Sequence, residues 1–355
     1  MSFFWSSWVT VLSLACWLFI FGVLMWTLRT KPDLAEDETT GHVYDDTIRE
    51  YDKPLPKWWL WVFFGTLIWG LGYFILYPAI QPQMWKGVTT VEVDGQQVPW
   101  SSSNELNSNL QANHKVFLSN FESVLENSDA SGALPVLATL SELQAAQHKN
   151  DKPDPDLQTK IDEQVKALGP FVDKLMTSPE AQKMGNNLFL QNCALCHGSD
   201  AQGAVGYPNL TDNDWLFGGK AEDILLTVHH GRKGSMAAWQ KQLGESGVRA
   251  VAEYVLQISG NQNGYELNQA QVTQGKAIFE ANCVLCHGAD AKGLTAMGAP
   301  NLTDDIWLFG GDRETVQTTI RHGRAGVMPE WQTKLGNERL MLLAAYVRSF
   351  SQTAE

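Results

Sequence analysis

Two seven-residue blocks could do chemistry in this chain: Asn192-Cys-Ala-Leu-Cys-His-Gly198 and Asn282-Cys-Val-Leu-Cys-His-Gly288. In Cys-x-x-Cys-His the two thiols can add to the two vinyl groups along one edge of a porphyrin. The adjacent imidazole then lies under the ring with a nitrogen facing iron. Cys193 and Cys196 with proximal His197, and Cys283 and Cys286 with proximal His287, are thus predicted to attach two haem c groups. A lone Cys-x-x-Cys would also suit a redox disulfide or half a zinc site, but two copies, each followed at once by His, argue against both. The fifth cysteine, Cys16, lies in an apolar run, so no disulfide framework is expected.

A sixth iron ligand must come from the opposite face of the ring, so the chain has to travel round the ring edge first. Met236 follows His197 by 39 residues and Met328 follows His287 by 41, at equivalent places, and these are the predicted axial methionines. Met297 is too close to His287 to wrap a haem, and Met176, Met184 and Met341 read as core filler. A soft thioether favours reduced iron, which suits electron transfer. His230 and His322 also recur and leave bis-His ligation as the alternative. Arg232 and Arg324 are candidates for neutralising propionates, and Trp215 and Trp307 for packing on a haem edge or donating a hydrogen bond to it. Holding the local fold is the competing role for all four.

The positioning elements are repeated. Pro208-Asn-Leu-Thr-Asp212 and Trp215-Leu-Phe-Gly-Gly219 match Pro300-Asn-Leu-Thr-Asp304 and Trp307-Leu-Phe-Gly-Gly311. His230-Gly-Arg232 matches His322-Gly-Arg324, and Tyr254-Val255 matches Tyr346-Val347. Each unit of about 80 residues is small for a self-sufficient core, a deficit that a buried porphyrin makes up. Upstream, a polar stretch to about residue 178 has Phe117, Phe121, Val124 and Leu125 at helical spacing and reads as a helical spacer. It is interrupted by a turn at Asn150-Asp-Lys-Pro-Asp-Pro155.

Met1–Leu28 carries no charge, and neither do the 23 residues from Trp58 to Ile80, which are flanked by Trp59, Trp61, Tyr77 and Trp85. Each is long enough to cross a hydrocarbon core of roughly 30 Å, and aromatic belts mark membrane interfaces. The loop between them holds Arg29, Lys31, Arg49, Lys53 and Lys57, which places it in the cytoplasm and places the N-terminus and everything after residue 80 in the periplasm. The expected fold is mainly α: two transmembrane helices, a helical spacer and two tandem class I-like cytochrome c domains. Its segments are transmembrane helix 1 (1–30), cytoplasmic loop (31–56), transmembrane helix 2 (57–80), periplasmic spacer (81–178) and cytochrome domains at 179–262 and 263–355.

The net charge of −13 and the absence of any Lys/Arg run exclude a nucleic-acid partner. Of 26 basic and 39 acidic residues, 5 and 8 lie in the first 80, so 21 and 31 remain beyond and favour a basic donor protein. With no Ser-His-Asp set, phosphate loop or zinc helix, the chain is read as an electron carrier that does no bond chemistry alone.

The segment Tyr51-Asp-Lys-Pro-Leu-Pro-Lys-Trp-Trp59, with Gly41-His42, Tyr77-Pro78, Trp85-Lys-Gly87, Ile320-Arg-His-Gly-Arg324 and Met328-Pro329, resembles the dihaem subunit III family of cbb3-type cytochrome c oxidases over nearly the whole chain. The resemblance implies a bacterial inner-membrane protein that takes electrons from a donor cytochrome c. It would pass them through a monohaem cytochrome c subunit to a haem-copper catalytic subunit, which reduces oxygen to water and pumps protons. It also implies that methionines can be exchanged between haems, with Met236 serving the second and Met328 the first. The rival readings are a dihaem subunit of a quinol-oxidising dehydrogenase or nitrogen-oxide reductase, and a haem sensor signalling across the membrane.

Overall fold

The computed structural model describes residues 3–29, 39–44, 48–51, 56–77, 85–149, 152, 154–261, 264 and 266–350. Lys31, Lys53, the Asp52–Leu55 part of the family segment, Pro78–Ile80 at the exit of the second apolar run, and Asn150, Asp151 and Pro153 of the expected turn lie outside them. The chain divides into two compact units, residues 1–117 and 118–355.

In the first unit, α1 (Phe3–Arg29) and α2 (Lys57–Leu76) are apolar on all sides, as helices solvated by lipid must be. At 1.5 Å per residue they run about 40 and about 30 Å, enough to cross a membrane. Trp17 Nε1 on α1 donates to the Leu67 carbonyl on α2 at 3.3 Å, beside Gly70. Between these helices β1 (Thr39–Tyr44) pairs antiparallel with β2 (Ile48–Tyr51). The last carbonyls of α2 have no intrahelical donor, and the returning chain supplies them: Trp85 Nε1 reaches Ile75 O at 3.1 Å, and the amides of Val88 and Thr89 reach Leu76 O. Gly87 makes that return at φ +74°, where a Cβ would strike the Leu76 carbonyl.

Next comes a hairpin of β3 (Thr90–Val93) and β4 (Gln96–Pro99), closed by Asp94-Gly95 with both residues at positive φ. A helical spacer gave no reason to expect it, although Asp-Gly between alternating valines is the signal for such a turn. The helix α3 (Ser102–Asn127) follows.

The second unit begins with the spacer core. Phe121, Val124 and Leu125 of α3 are buried, as are Leu137 and Leu140 of α4 (Ala133–Lys149), Ile161 and Val165 of α5 (Pro155–Ala167) and Val172 and Leu175 of α6 (Gly169–Leu175). Asp154 caps α5, accepting from the amides of Asp156 and Leu157 ahead of a proline that fits the first helical turn.

The first repeat supplies α7 (Pro179–Asn192), α8 (Ala194–His197), α9 (Ala221–His230), β5 (Arg232–Met236) and α10 (Gln240–Ile258). The second supplies α11 (Gln269–Asn282), α12 (Val284–His287), α13 (Arg313–His322), β6 (Arg324–Met328), α14 (Gln332–Leu335) and α15 (Asn337–Phe350).

The packing units are not the sequence repeats. Helix α7 packs on α15, and α11 on α10, so each repeat donates its last helix to the other. Both crossings are made at a glycine. A Cβ on Gly185 would meet Leu342 O and Tyr346 Cβ, and one on Gly275 would meet Ala250 O and Tyr254 Cβ. The crossover itself is the antiparallel pair β5–β6, with Arg232 opposite Met328 and Met236 opposite Arg324. Beyond it the hydrogen bonds are reciprocal: Trp239 N donates to Ile320 O, and Trp331 N to Val228 O. The first half is therefore α7, α8, α9, α14 and α15, and the second is α10 to α13.

Candidate functional site

In each half the cysteine motif follows a capped helix that stops at Asn192 or Asn282. The amides of Cys196 and His197 bond back to Cys193 O, and those of Cys286 and His287 to Cys283 O, so each motif is one tight turn. That turn brings the two thiols of a motif to one side, and all four are free. The middle residues of the motifs point away: Leu195 is 97% exposed and Leu285 81%. Burial, with a smaller contribution from the neighbouring Cys196, pushes the Cys193 thiol up to about 11. Burial and Cys286 do the same for Cys283. A redox Cys-x-x-Cys needs a depressed thiol, so the electrostatics disfavour that rival.

Both proximal imidazoles are oriented alike. His197 Nδ1 lies 3.0 Å from Pro208 O and His287 Nδ1 3.2 Å from Pro300 O. A carbonyl only accepts, so Nδ1 carries the proton and Nε2 keeps its lone pair for a metal. Burial lowers the His287 pKa, opposed by the Pro300 hydrogen bond, and a neutral ring is the form that ligates. The repeated Pro-Asn-Leu-Thr-Asp block had no role in the sequence reading. Its recurrence shortly after each histidine, 11 residues on in the first copy and 13 in the second, was the available signal.

The crossover decides where the methionines go. Met236, at the end of β5, packs against the second half's cluster of Val248, Val251, Phe279 and Ile320, together with Cys283 and Trp307. Gly323 of the second repeat lies against Met236 O, and Gly231 of the first against Met328 O, Pro329 and Glu330. Each methionine thus sits beside the other repeat's His-Gly-Arg segment. Of the two histidines there, His322 is exposed and His230 is half-buried.

Arg232 Nε donates to Thr227 Oγ1 at 2.9 Å with its guanidinium 4.9 Å from the Phe217 ring centre. Arg324 Nε donates to Thr319 Oγ1 at 3.0 Å, 4.3 Å from that of Phe309. The thiol pairs, the oriented imidazoles and the buried Trp307 Nε1, which has no partner, fit a haem with its propionate side near these donors. The Phe and Thr of this clamp were missed in the sequence, although both recur at fixed offsets from the arginine. Trp215 stacks against the backbone at Gly219 as Trp307 does at Gly311.

Two apolar helices and two such sites define the class: a membrane-anchored dihaem c-type cytochrome. Residues 36–83 match the family model for the N-terminal domain of cytochrome oxidase-cbb3, FixP, and residues 180–255 and 270–347 match that for cytochrome c oxidase, cbb3-type, subunit III. A cbb3-type cytochrome c oxidase subunit CcoP from Cereibacter sphaeroides is 36% identical over 329 residues, covering 90% of this chain and 96% of that protein. A CcoP from Rubrivivax gelatinosus is 33% identical over 351 residues (99% and 96%), and a FixP from Bradyrhizobium sp. strain ORS 278 is 36% identical over 323 (88% and 93%). The chain belongs to the subunit III family of cbb3-type cytochrome c oxidases, and its cofactors are two haem c groups. These names support the oxidase reading over the other membrane complexes considered from sequence.

Proposed function

We propose that this chain is the electron-entry arm of a cbb3-type oxidase. It accepts electrons from a donor cytochrome c and passes them, through a monohaem cytochrome c subunit, toward a haem-copper catalytic subunit that reduces oxygen to water and pumps protons. When bound, each haem supplies one-electron exchange at its iron. The residues of this chain do the rest. Cys193 and Cys196, and Cys283 and Cys286, fix each ring covalently. The Pro208 and Pro300 carbonyls hold His197 and His287 with Nε2 toward the iron.

The observation that carries the ligand assignment is the β5–β6 exchange. It supports Met328 with His197 on the first haem and Met236 with His287 on the second. Arg232 and Arg324 neutralise propionates, and Trp307 Nε1 donates to one; Trp215 is its counterpart in the first half. With Met328 and Met236 as the second ligands, each iron would be held from both faces, which argues against the sensor reading. The lysines and arginines of the 31–56 loop support a two-pass inner-membrane topology with that loop cytoplasmic and the N-terminus and haems periplasmic.

The test is purification through a tag on this chain in mild detergent, followed by haem and copper analysis and oxygen uptake with a reduced donor. Haem c, haem b and copper with oxygen uptake are expected. Two haem c groups with neither copper nor oxygen uptake from an intact preparation would refute the oxidase assignment. The acidic balance beyond residue 80 adds that reduction by a basic donor slows as ionic strength rises; a salt-independent rate would contradict electrostatic steering.

A further inference from the structure

Among the described residues, the spacer packs mainly on the first half. Helices α5 and α6 pack on α9, and α6 also packs on α15, while the main neighbour of the equivalent α13 is α10. The covered positions bring charge with them. His230 Nε2 lies 2.9 Å from Asp162 Oδ1 on α5, close enough for the charge to act although the ring N–H is not aimed squarely at the oxygen. Two residues on, burial lowers the Arg232 pKa, opposed by Asp223 and then Asp162, and the Arg232 backbone pairs with Met328. The second half differs at each point. Thr315 stands where the first has Asp223, His322 is exposed, and Arg321 is tied by two hydrogen bonds to Glu245, a pair with no net charge.

We propose that Asp162 of the spacer, together with Asp223, makes the two haems unequal. They hold the haem carried by His197 below the haem carried by His287 in potential, so that electrons run from the first haem to the second. Oxidised haem carries one more positive charge than reduced haem, so a nearby carboxylate favours oxidation and an uncompensated arginine favours reduction. Asp162 stands 2.9 Å from His230 and the Asp223 carboxylate lies against Gly218, beside the Phe217 ring under Arg232, and both partly offset the burial of that arginine's charge; Arg324 has Thr319 and the Phe309 ring. Excluding water from the first half by itself favours reduced iron. The same cover, however, lowers the local dielectric in which Asp162 and Asp223 act, which strengthens them. The two carboxylates are positioning residues for potential and do not touch the iron.

The inference rests on the proposed methionine ligation of both haems, and the experiment separates the two. The full chain in mild detergent is titrated by its haem absorbance, with the charge-transfer band of methionine-ligated ferric haem followed alongside. Asp162→Asn is expected to raise the lower of the two waves, changing the equilibrium for electron sharing between the haems about three- to fivefold, or about 30–40 mV at 59 mV per tenfold for one electron. The upper wave should stay in place. Asp223→Asn should move the same wave the same way, and Thr315→Asp should lower the upper wave. If both methionine bands persist and Asp162→Asn moves neither wave, or moves the upper one, the inference is overturned and methionine ligation of both haems stands. If the parent chain shows no methionine bands, the proposed ligation itself is refuted.

Discussion

The two haem halves are built from the same blocks yet present opposite outer faces. In the first, Leu225, Leu226, His229, Asn337 and Met341 occupy positions held in the second by Gln317, Thr318, Arg321, Glu245 and Arg249. Met341 is fully buried, whereas Arg249 is exposed. Under the spacer, Gln144 donates to the buried His229 Nε2 at 2.8 Å and exchanges hydrogen bonds with Asn337; in the second half Arg321 and Glu245 satisfy each other in water. The second half has its own brace instead. Arg313 Nε lies 2.8 Å from the buried Glu253, which also accepts from Asn268 N, at positions where the first half has only Ala221 and Ala345. A duplicated fold was thus stabilised in two ways: one copy by an added helical layer, the other by an ion pair within itself.

The sharpest way to break this picture is through the methionines. In the full chain, Met236→Leu should abolish methionine ligation at the haem attached to Cys283 and Cys286, and Met328→Leu at the one attached to Cys193 and Cys196. Paramagnetic NMR assignment of the two haems would read this out, and loss at the opposite haem would refute the exchange. Next in size, Arg313→Met strands the buried Glu253 carboxylate and should cost about 3 kcal/mol of stability in the second half. Chemical denaturation followed at the second haem should show it while the first half, with Ala221 and Ala345 at the equivalent positions, changes little.

The third prediction concerns pH. Burial, and then the neighbouring His230, depress the His229 pKa from 6.5 to about 4. A group depressed on folding contributes stability that is present above its unfolded pKa and lost as pH falls through the folded one. Docking of the spacer should therefore weaken between about pH 6.5 and pH 4, by up to ~3 kcal/mol. Hydrogen exchange in α5 and α9 across that range would measure it, and protection that does not change with pH would contradict it. The smallest effect is expected from Gly275→Ala, which forces a Cβ onto the Ala250 carbonyl and should cost about 2 kcal/mol, seen as a lower melting temperature.

Much of the site was legible. The cysteine and histidine pattern encodes its chemistry locally, and the apolar runs declare themselves by length. The exchange was not legible from the residues, because both repeats carry the same helix-crossing glycine and tyrosine: Gly185 fits Tyr346 as well as it would fit Tyr254. Pairing of β5 with β6 was hidden for a related reason, since Arg-Lys-Gly-Ser-Met and Arg-Ala-Gly-Val-Met lack the alternation that marks a strand. The spacer's docking side did leave a trace, in the apolar Leu225 and Leu226 against Gln317 and Thr318, but only a comparison of the two copies makes it visible.

The exchanged helices also set a schedule. A chain made from its N-terminus completes the second half as soon as α13 has emerged, because α10 is already waiting. The first half, begun earlier with α7, stays open until α15, the last helix, arrives to close it. The cysteines made first are thus the last to be enclosed, and the enzymes that attach haem have the longer time to reach Cys193 and Cys196.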